Sequence, residues 1–350
     1  MFLSPSGGGV RRYLQQKSWW LERHSNWRHM VAAPLPAQPG IVTVPALALP
    51  FSQGYRMVLR REAAARVLER LRPDLIEAGD PYRLAWAALD TARRLDIPAV
   101  AFCHSHLECL AAQCAGKLAA RLARRYMQRL YRRFDLVLAP SAWMQRHLEA
   151  IGVARSATQA LGVDTAMFTP RRRDPGWRRR LGLPPDARVL LYAGRFAPEK
   201  HLATLAAAVA QLGPPYVLVV IGSGPMPPSG RRVRVLPFER DSYSLAQALA
   251  SADAFVHAGD QETFGLAALE ALACGMPVVA RAEAGLGELI DERVGVLVEG
   301  AAPGDFAEAI AYLFERDRSG LATAARRLAL RYDWNRVLPD LFAHYQRLLA

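Results

Sequence analysis

The sequence predicts two α/β domains, each a parallel sheet covered by helices, and three observations lead there. Short apolar runs alternate with longer segments of helical period along the whole chain. Most of the runs are Val, Leu, Ile and Ala without polar alternation, the mark of strands buried on both faces. Near mid-chain, Pro170-Arg171-Arg172-Arg173-Asp174-Pro175-Gly176 breaks the rhythm with Pro, Gly and charge, as an exposed connection does. A length of 350 residues favours two domains, and a hydrophobic content of 51% excludes wholesale disorder.

Taken in order, the first half opens with the stub Met1-Phe2-Leu3 and the turn Ser4-Pro5-Ser6-Gly7-Gly8-Gly9-Val10. A helix is expected over 11–22. Strands follow at 74–78, 98–102 and 135–139, and helices at 62–71, 82–95, 107–134 and 142–151. The second half repeats the order. Strands are expected at 189–193, 216–221, 233–236, 254–257 and 277–280, and helices at 202–211, 244–251 and 264–274. An amphipathic helix over 333–349 closes the chain. The divisions predicted are 1–165, 166–332 and 333–350.

Charge and cysteine narrow the function classes. Lys+Arg is 45 against 32 Asp+Glu, a net charge of +13, yet lysine occurs only at Lys17, Lys117 and Lys200. Such basicity suits nucleic acid, an anionic membrane or phosphorylated small molecules. In the helix 107–134, Lys117, Arg121, Arg124, Arg125 and Arg132 form a stripe, with Leu118, Leu122, Met127, Leu130, Tyr131 and Phe134 on the other side. That stripe is either a lipid-headgroup contact or a solvated face over a core. No run of about 18 apolar residues occurs, and no signal peptide is expected, so the cytoplasm is the predicted location. Cys103, Cys109, Cys114 and Cys274 form no C-x-x-C pair, and Cys103-His104-Ser105-His106 lacks tetrahedral zinc spacing, so no metal site is expected.

Three glycine turns and one acidic pair carry the chemistry. Gly7-Gly8-Gly9 before a helix lets backbone N–H groups approach an anion, without the G-x-G-x-x-G spacing of dinucleotide sites. Gly222-Ser223-Gly224 ends a strand where such folds bind ligands. In Gly194-Arg195-Phe196-Ala197-Pro198-Glu199-Lys200, two cations flank the start of a helix and suit a diphosphate, or else cap the helix at the surface. In His257-Ala258-Gly259-Asp260-Gln261-Glu262-Thr263-Phe264-Gly265-Leu266, a strand gives way to a loop and a helix near Phe264. Glu262 precedes that helix, and Glu270 stands roughly 9 Å further along its axis at 1.5 Å per residue. The two carboxylates suit the hydroxyls of an extended sugar-bearing ligand. The N–H groups of Phe264, Gly265 and Leu266 offer an anion site between them. The bland alternative is an acid favoured by the helix dipole and an exposed Glu270.

These residues resemble the retaining glycosyltransferases of the GT-B fold, family 4. The resemblance rests on Gly8-Gly9-Val10, Leu161-Gly162-Val163-Asp164, Phe168-Thr169-Pro170, Gly194 to Lys200, Glu262 with Glu270, Gly275-Met276-Pro277 and Gly285-Leu286-Gly287-Glu288. It implies two Rossmann-like domains facing a cleft, the C-terminal one binding a nucleotide sugar, and a last helix packed back on the N-terminal domain. It implies that Arg195 and Lys200 hold the donor diphosphate, Glu262 the sugar and Glu270 the ribose. It assigns backbone contacts to Phe264, Gly265 and Leu266, and phosphate contacts from across the cleft to Gly8 and Gly9. His104 resembles the histidine near the reacting sugar, with His106 as fallback and a buried structural role as the alternative. The family opens with a full first strand; here the stub implies a curtailed strand or a misjudged start site.

The expected reaction moves a mannose- or glucose-type hexose from a nucleotide-diphosphate sugar to a lipid-linked, polysaccharide or small-molecule acceptor. Retention of configuration is implied, and with no nucleophile evident, front-face attack is the expectation. No Asp-x-Asp motif appears, so no metal and no cofactor are expected, and cations with a helix N-terminus neutralise the leaving group. A peripheral place on the inner membrane face is compatible with the charge. A nucleotide-sugar epimerase or a phosphorylase on the same fold is the alternative. A nucleic-acid-binding protein is disfavoured because the paired glutamates sit in the basic site.

Overall fold

The computed structural model describes residues 8–48 and 56–350. The expected stub 1–3 and turn residues 4–7 lie outside the described residues. Contacts divide the chain into one unit of Met1–Leu161 with Trp334–Ala350, and another of Gly162–Asp333. The first boundary falls a few residues before the expected 165, and the last helix belongs to the first unit, as expected.

In the first unit, Ile76–Ala78, Ala99–Phe102, Leu136–Ala139 and Ser156–Thr158 form a four-stranded parallel sheet in chain order. Ala99–Phe102 is buried along its whole length, which explains its unbroken apolar run. Helices Arg61–Arg70 and Arg83–Leu95 pack on each other and bury Ala64, Ala65, Ala87 and Ala88, small side chains that let the axes approach closely. Two short pairs were not anticipated: Val31–Ala33 with Ile41–Thr43, parallel, and Leu47–Ala48 with Arg56–Met57, antiparallel.

The helix Leu107–Tyr131 departs from the expected pattern. Gly116, at φ +76°, breaks it. Beyond the break, Leu118 and Leu122 are 69% and 57% exposed, whereas Met127, Leu130, Tyr131 and Phe134 are buried. The apolar side is therefore core only in its last turns, and two leucines stand in solvent beside the arginines. The terminal helix Trp334–Leu349 receives the N-terminal tryptophans: Trp20 stacks on Phe342 with centroids 5.0 Å apart, and Trp27 lies 5.6 Å from the same ring.

In the second unit, six parallel strands lie in the order Val233–Leu236, Tyr216–Ser223, Arg188–Arg195, Ala254–His257, Val278–Arg281, Gly295–Val298. The first strand in sequence sits inside the sheet. The chain builds outward on one side of it and then returns to build on the other. Doubly wound sheets bind ligands in the crevice at such a reversal, which here falls at the carboxyl ends of Arg188–Arg195 and Ala254–His257. The helix Leu266–Ala273 is buried from Ala268 to Ala273. Arg326 ties it to the entry segment, donating to the carbonyls of Phe168 and Ala273 at 2.7 Å each and of Thr165 at 2.8 Å.

Candidate active site

At the reversal point the strand Arg188–Arg195 ends in Arg195, whose Nη2 lies 3.1 Å from Glu199 Oε1. A 3-10 turn, Pro198–Lys200, follows, and His201 at φ +48° redirects the chain into the helix Leu202–Leu212. This turn aims Lys200 Nζ at Glu262 Oε1, with which it forms an ion pair. His257, at the end of the neighbouring strand, approaches the same oxygen at 3.3 Å. The Gly259 N–H donates to His257 Nδ1 at 3.1 Å, which leaves the proton on Nε2, facing Glu262. Burial alone would push the Glu262 carboxyl up. The Lys200 ammonium and then the His257 hydrogen bond outweigh it and hold the group well below the usual carboxylate range. Glu262 is thus a fixed anion with one oxygen occupied by two donors.

Beside it, glycine decides the loop. Gly265 adopts φ +96°, and a Cβ there would come within 2.4 Å of Leu286 Cδ2. At Gly285 a Cβ would meet the Thr263 carbonyl oxygen at 2.4 Å, while the Gly285 N–H donates to Glu262 O at 2.7 Å. The short helix Ala284–Leu289 thereby braces the 262–265 loop. The helix after that loop starts at Leu266 rather than near Phe264. Its N–H groups without intrahelical partners accordingly run from Gly265 to Ala268, and the expected Phe264 donor falls outside the helix. The Phe264 ring is buried, 5.8 Å from Tyr332. Glu270 stands one turn into the helix and is buried, so the exposed reading of it is overturned.

The remaining expected residues belong to the first unit. Gly8, at φ +118°, caps the helix Gly9–His24. His104 stacks on Phe102 with centroids 4.3 Å apart and lies 5.4 Å from Tyr13. Burial lowers its pKa to about 4, with Glu77 raising it and Lys17 lowering it less strongly, so the ring is neutral at pH 7. Behind it lies a cluster that sequence reasoning missed. Lys17 Nζ lies 2.9 Å from Glu77 Oε2 and 2.8 Å from the Tyr345 hydroxyl, and the Tyr13 hydroxyl donates to Glu77 at 3.1 Å. The available signal was Lys17 itself, one of three lysines in the chain. His257 was missed too, although it closes the strand that leads into Glu262. His106, the fallback, faces His147 instead.

Two family models match the chain. Residues 7–167 match the family model for glycosyltransferase family 4, and residues 174–328 that for glycosyl transferases group 1. A GDP-mannose-dependent alpha-mannosyltransferase of Mycobacterium tuberculosis is 35% identical over 287 residues, covering 80% of this chain and 75% of its own length. The chain belongs to glycosyltransferase family 4. A second relative of this glycosyltransferase is the GDP-mannose-dependent alpha-(1-6)-phosphatidylinositol dimannoside mannosyltransferase of Mycobacterium tuberculosis, 32% identical, covering 86% of this chain and 81% of its own. Among solved structures, sucrose-phosphate synthase from Thermosynechococcus elongatus superposes with a TM-score of 0.77 at 23% identity, over 98% of this chain and 94% of that one. HepE from Anabaena, in complex with UDP and glucose, gives 0.73 at 19% identity over 98% of each chain. The glycosyltransferase has the GT-B fold class, and its sequence-predicted Lys200 and Glu262 meet in one ion pair at the reversal point of the second sheet.

Proposed function

We propose that this glycosyltransferase transfers a mannose-type hexose from a nucleoside-diphosphate sugar, with retention at the anomeric carbon, to a lipid-linked acceptor. The observation that carries the reading is the Lys200–Glu262–His257 cluster beside the open helix N-terminus at Gly265. Lys200 is neutralised by Glu262 in the ligand-free protein. A bound diphosphate offers Lys200 a second anion, and Arg195, on the exposed end of its strand, supplies a second cation. Glu262, held ionised with His257 on one oxygen, accepts hydrogen bonds from sugar hydroxyls. As the bond from the anomeric carbon to phosphate breaks, charge grows on the diphosphate. Lys200, Arg195 and the N–H groups from Gly265 onward stabilise it without a divalent ion. The acceptor hydroxyl attacks on the face the diphosphate leaves, and the departing phosphate oxygen takes its proton. Glu270 contacts the ribose.

Mannose is favoured over glucose because relatives at 32–35% identity are named as GDP-mannose-dependent. A lipid-linked acceptor is favoured because one of them acts on a phosphatidylinositol dimannoside. Leu118 and Leu122, exposed beside Lys117, Arg121 and Arg125, support contact with an anionic membrane surface. The test is a panel of GDP-mannose, UDP-glucose and UDP-N-acetylglucosamine. Nucleotide release and the anomeric configuration of the product are read by NMR. GDP-mannose turnover to an α-linked product supports the reading; turnover confined to a UDP sugar, or a β-linked product, overturns it.

A further inference from the structure

A second side-chain cluster lies in the first unit, and it takes in His106, two residues beyond His104. Ala99–Phe102 and Leu136–Ala139 are adjacent parallel strands, with Phe102 opposite Leu138, so the segments leaving them emerge at one edge of the sheet. After the first strand, His106 caps the helix Leu107–Tyr131 and Glu108 lies in its first turn. After the second, the helix Ala142–Ala150 carries His147. The topology thus brings together residues 41 apart: His106 Nε2 stands 3.1 Å from His147 Nε2. Glu108 Oε2 is 3.5 Å from the same His147 nitrogen, and it is buried with no hydrogen bond. All three ligand atoms lie within 4.8 Å of one another. Cys109 Sγ, 3.9 Å from His106 Nε2, places a fourth donor at hand. Trp143 packs edge-on to His106 at 5.2 Å and parallel to His147 at 6.1 Å, which holds both rings in orientation.

We propose that His106, Glu108 and His147 form a zinc site that ties the helix Leu107–Tyr131 to the helix Ala142–Ala150. An ion 2.0–2.1 Å from each imidazole nitrogen, at the observed separation of 3.1 Å, subtends an angle of roughly 100°, close to tetrahedral. Two imidazoles and a carboxylate are a donor set of borderline softness that suits zinc over magnesium or calcium. The sequence expectation of no metal followed from the spacing within Cys103-His104-Ser105-His106 and from the missing Asp-x-Asp motif. The ligand set closes through His147, which only the sheet order brings near. The ion would brace the segment just after His104.

The experiment uses tag-free full-length chain, stripped with a chelator, dialysed, and titrated with zinc against a chromophoric competitor. One equivalent should bind per chain and raise the melting temperature. His147→Ala should weaken affinity by more than the roughly 10–100-fold that losing an outer-shell partner costs. Glu108→Gln, which keeps shape and removes the anionic ligand, should weaken it as well and abolish the melting shift, so the test survives if the histidine variant misfolds. A pair that only shares a hydrogen bond predicts no stoichiometric binding. That result, or equal affinity in wild type and Glu108→Gln, overturns the site.

Discussion

Lys200 and Glu262 lie 62 residues apart in sequence and meet as an ion pair. Each was legible beforehand because a glycine-bearing strand end places charge at a helix start, a local pattern. Their pairing was not legible, since it depends on which strands are neighbours. The same limit hid His257 and the buried Lys17–Glu77 pair, whose partners come from distant segments. Glu270 grips the ribose about equally in ground and transition states under this account. Glu270→Gln should therefore raise the donor KM more than it lowers kcat in steady-state kinetics; an effect on kcat alone would contradict the role. Stability has its own residue-scale signature at His29. Burial first, then Lys17, lower its pKa to about 4, opposed by Glu77. The unfolded value is near 6.5, so the unfolded chain binds more protons between the two. Stability from this group is present above about pH 6.5 and is lost as pH falls toward 4. Urea melts at pH 4.5 and 7.5 should show this loss, and His29→Gln should reduce it.

Among the elements, the long apolar strands were readable because burial on both faces removes polar alternation, as in Tyr216–Ser223. The pairs around Val31–Ala33 and Leu47–Ala48 were not, because two or three residues are too few to display a period. The helix Pro303–Glu315 does carry its period in Phe306, Ile310 and Leu313, so nothing physical concealed it. Leu118 and Leu122 looked like core because Gly116 was not read as a break. Two substitutions test the bracing of the site. Gly265→Ala adds a Cβ against Leu286 at a left-handed φ, so it should destabilise the unit by about 1–3 kcal/mol and weaken donor binding together. Arg326→Ala removes three hydrogen bonds to carbonyls and should cost about 1.5–3 kcal/mol in denaturant melts, with donor affinity changed far less. Equal loss of donor affinity in both variants would show that the 262–265 loop is not specially braced.

For the whole molecule, no helix among the described residues is long and apolar enough to cross a membrane, and the proposed surface contact rests instead on the charge of +13 and on the exposed Leu118 and Leu122. Flotation with anionic vesicles at low salt should carry the protein up, and Leu118→Ser with Leu122→Ser should weaken that binding. Failure to bind at low salt, where a basic contact is strongest, contradicts it. Turnover should be the same with and without added magnesium or manganese, because the proposed leaving-group stabilisation comes from fixed cations and backbone N–H groups. The most direct measurement is nucleoside-diphosphate release from the preferred sugar nucleotide by Lys200→Ala and Glu262→Gln, each checked by thermal melt. Under the proposed mechanism Lys200 meets the charge that develops on the diphosphate and Glu262 holds the reacting sugar, so kcat should fall by about 10²–10³ for Lys200→Ala and similarly for Glu262→Gln, with folding intact. Wild-type turnover in both variants would mean that the pair only caps a surface, and would remove this crevice as the site of transfer.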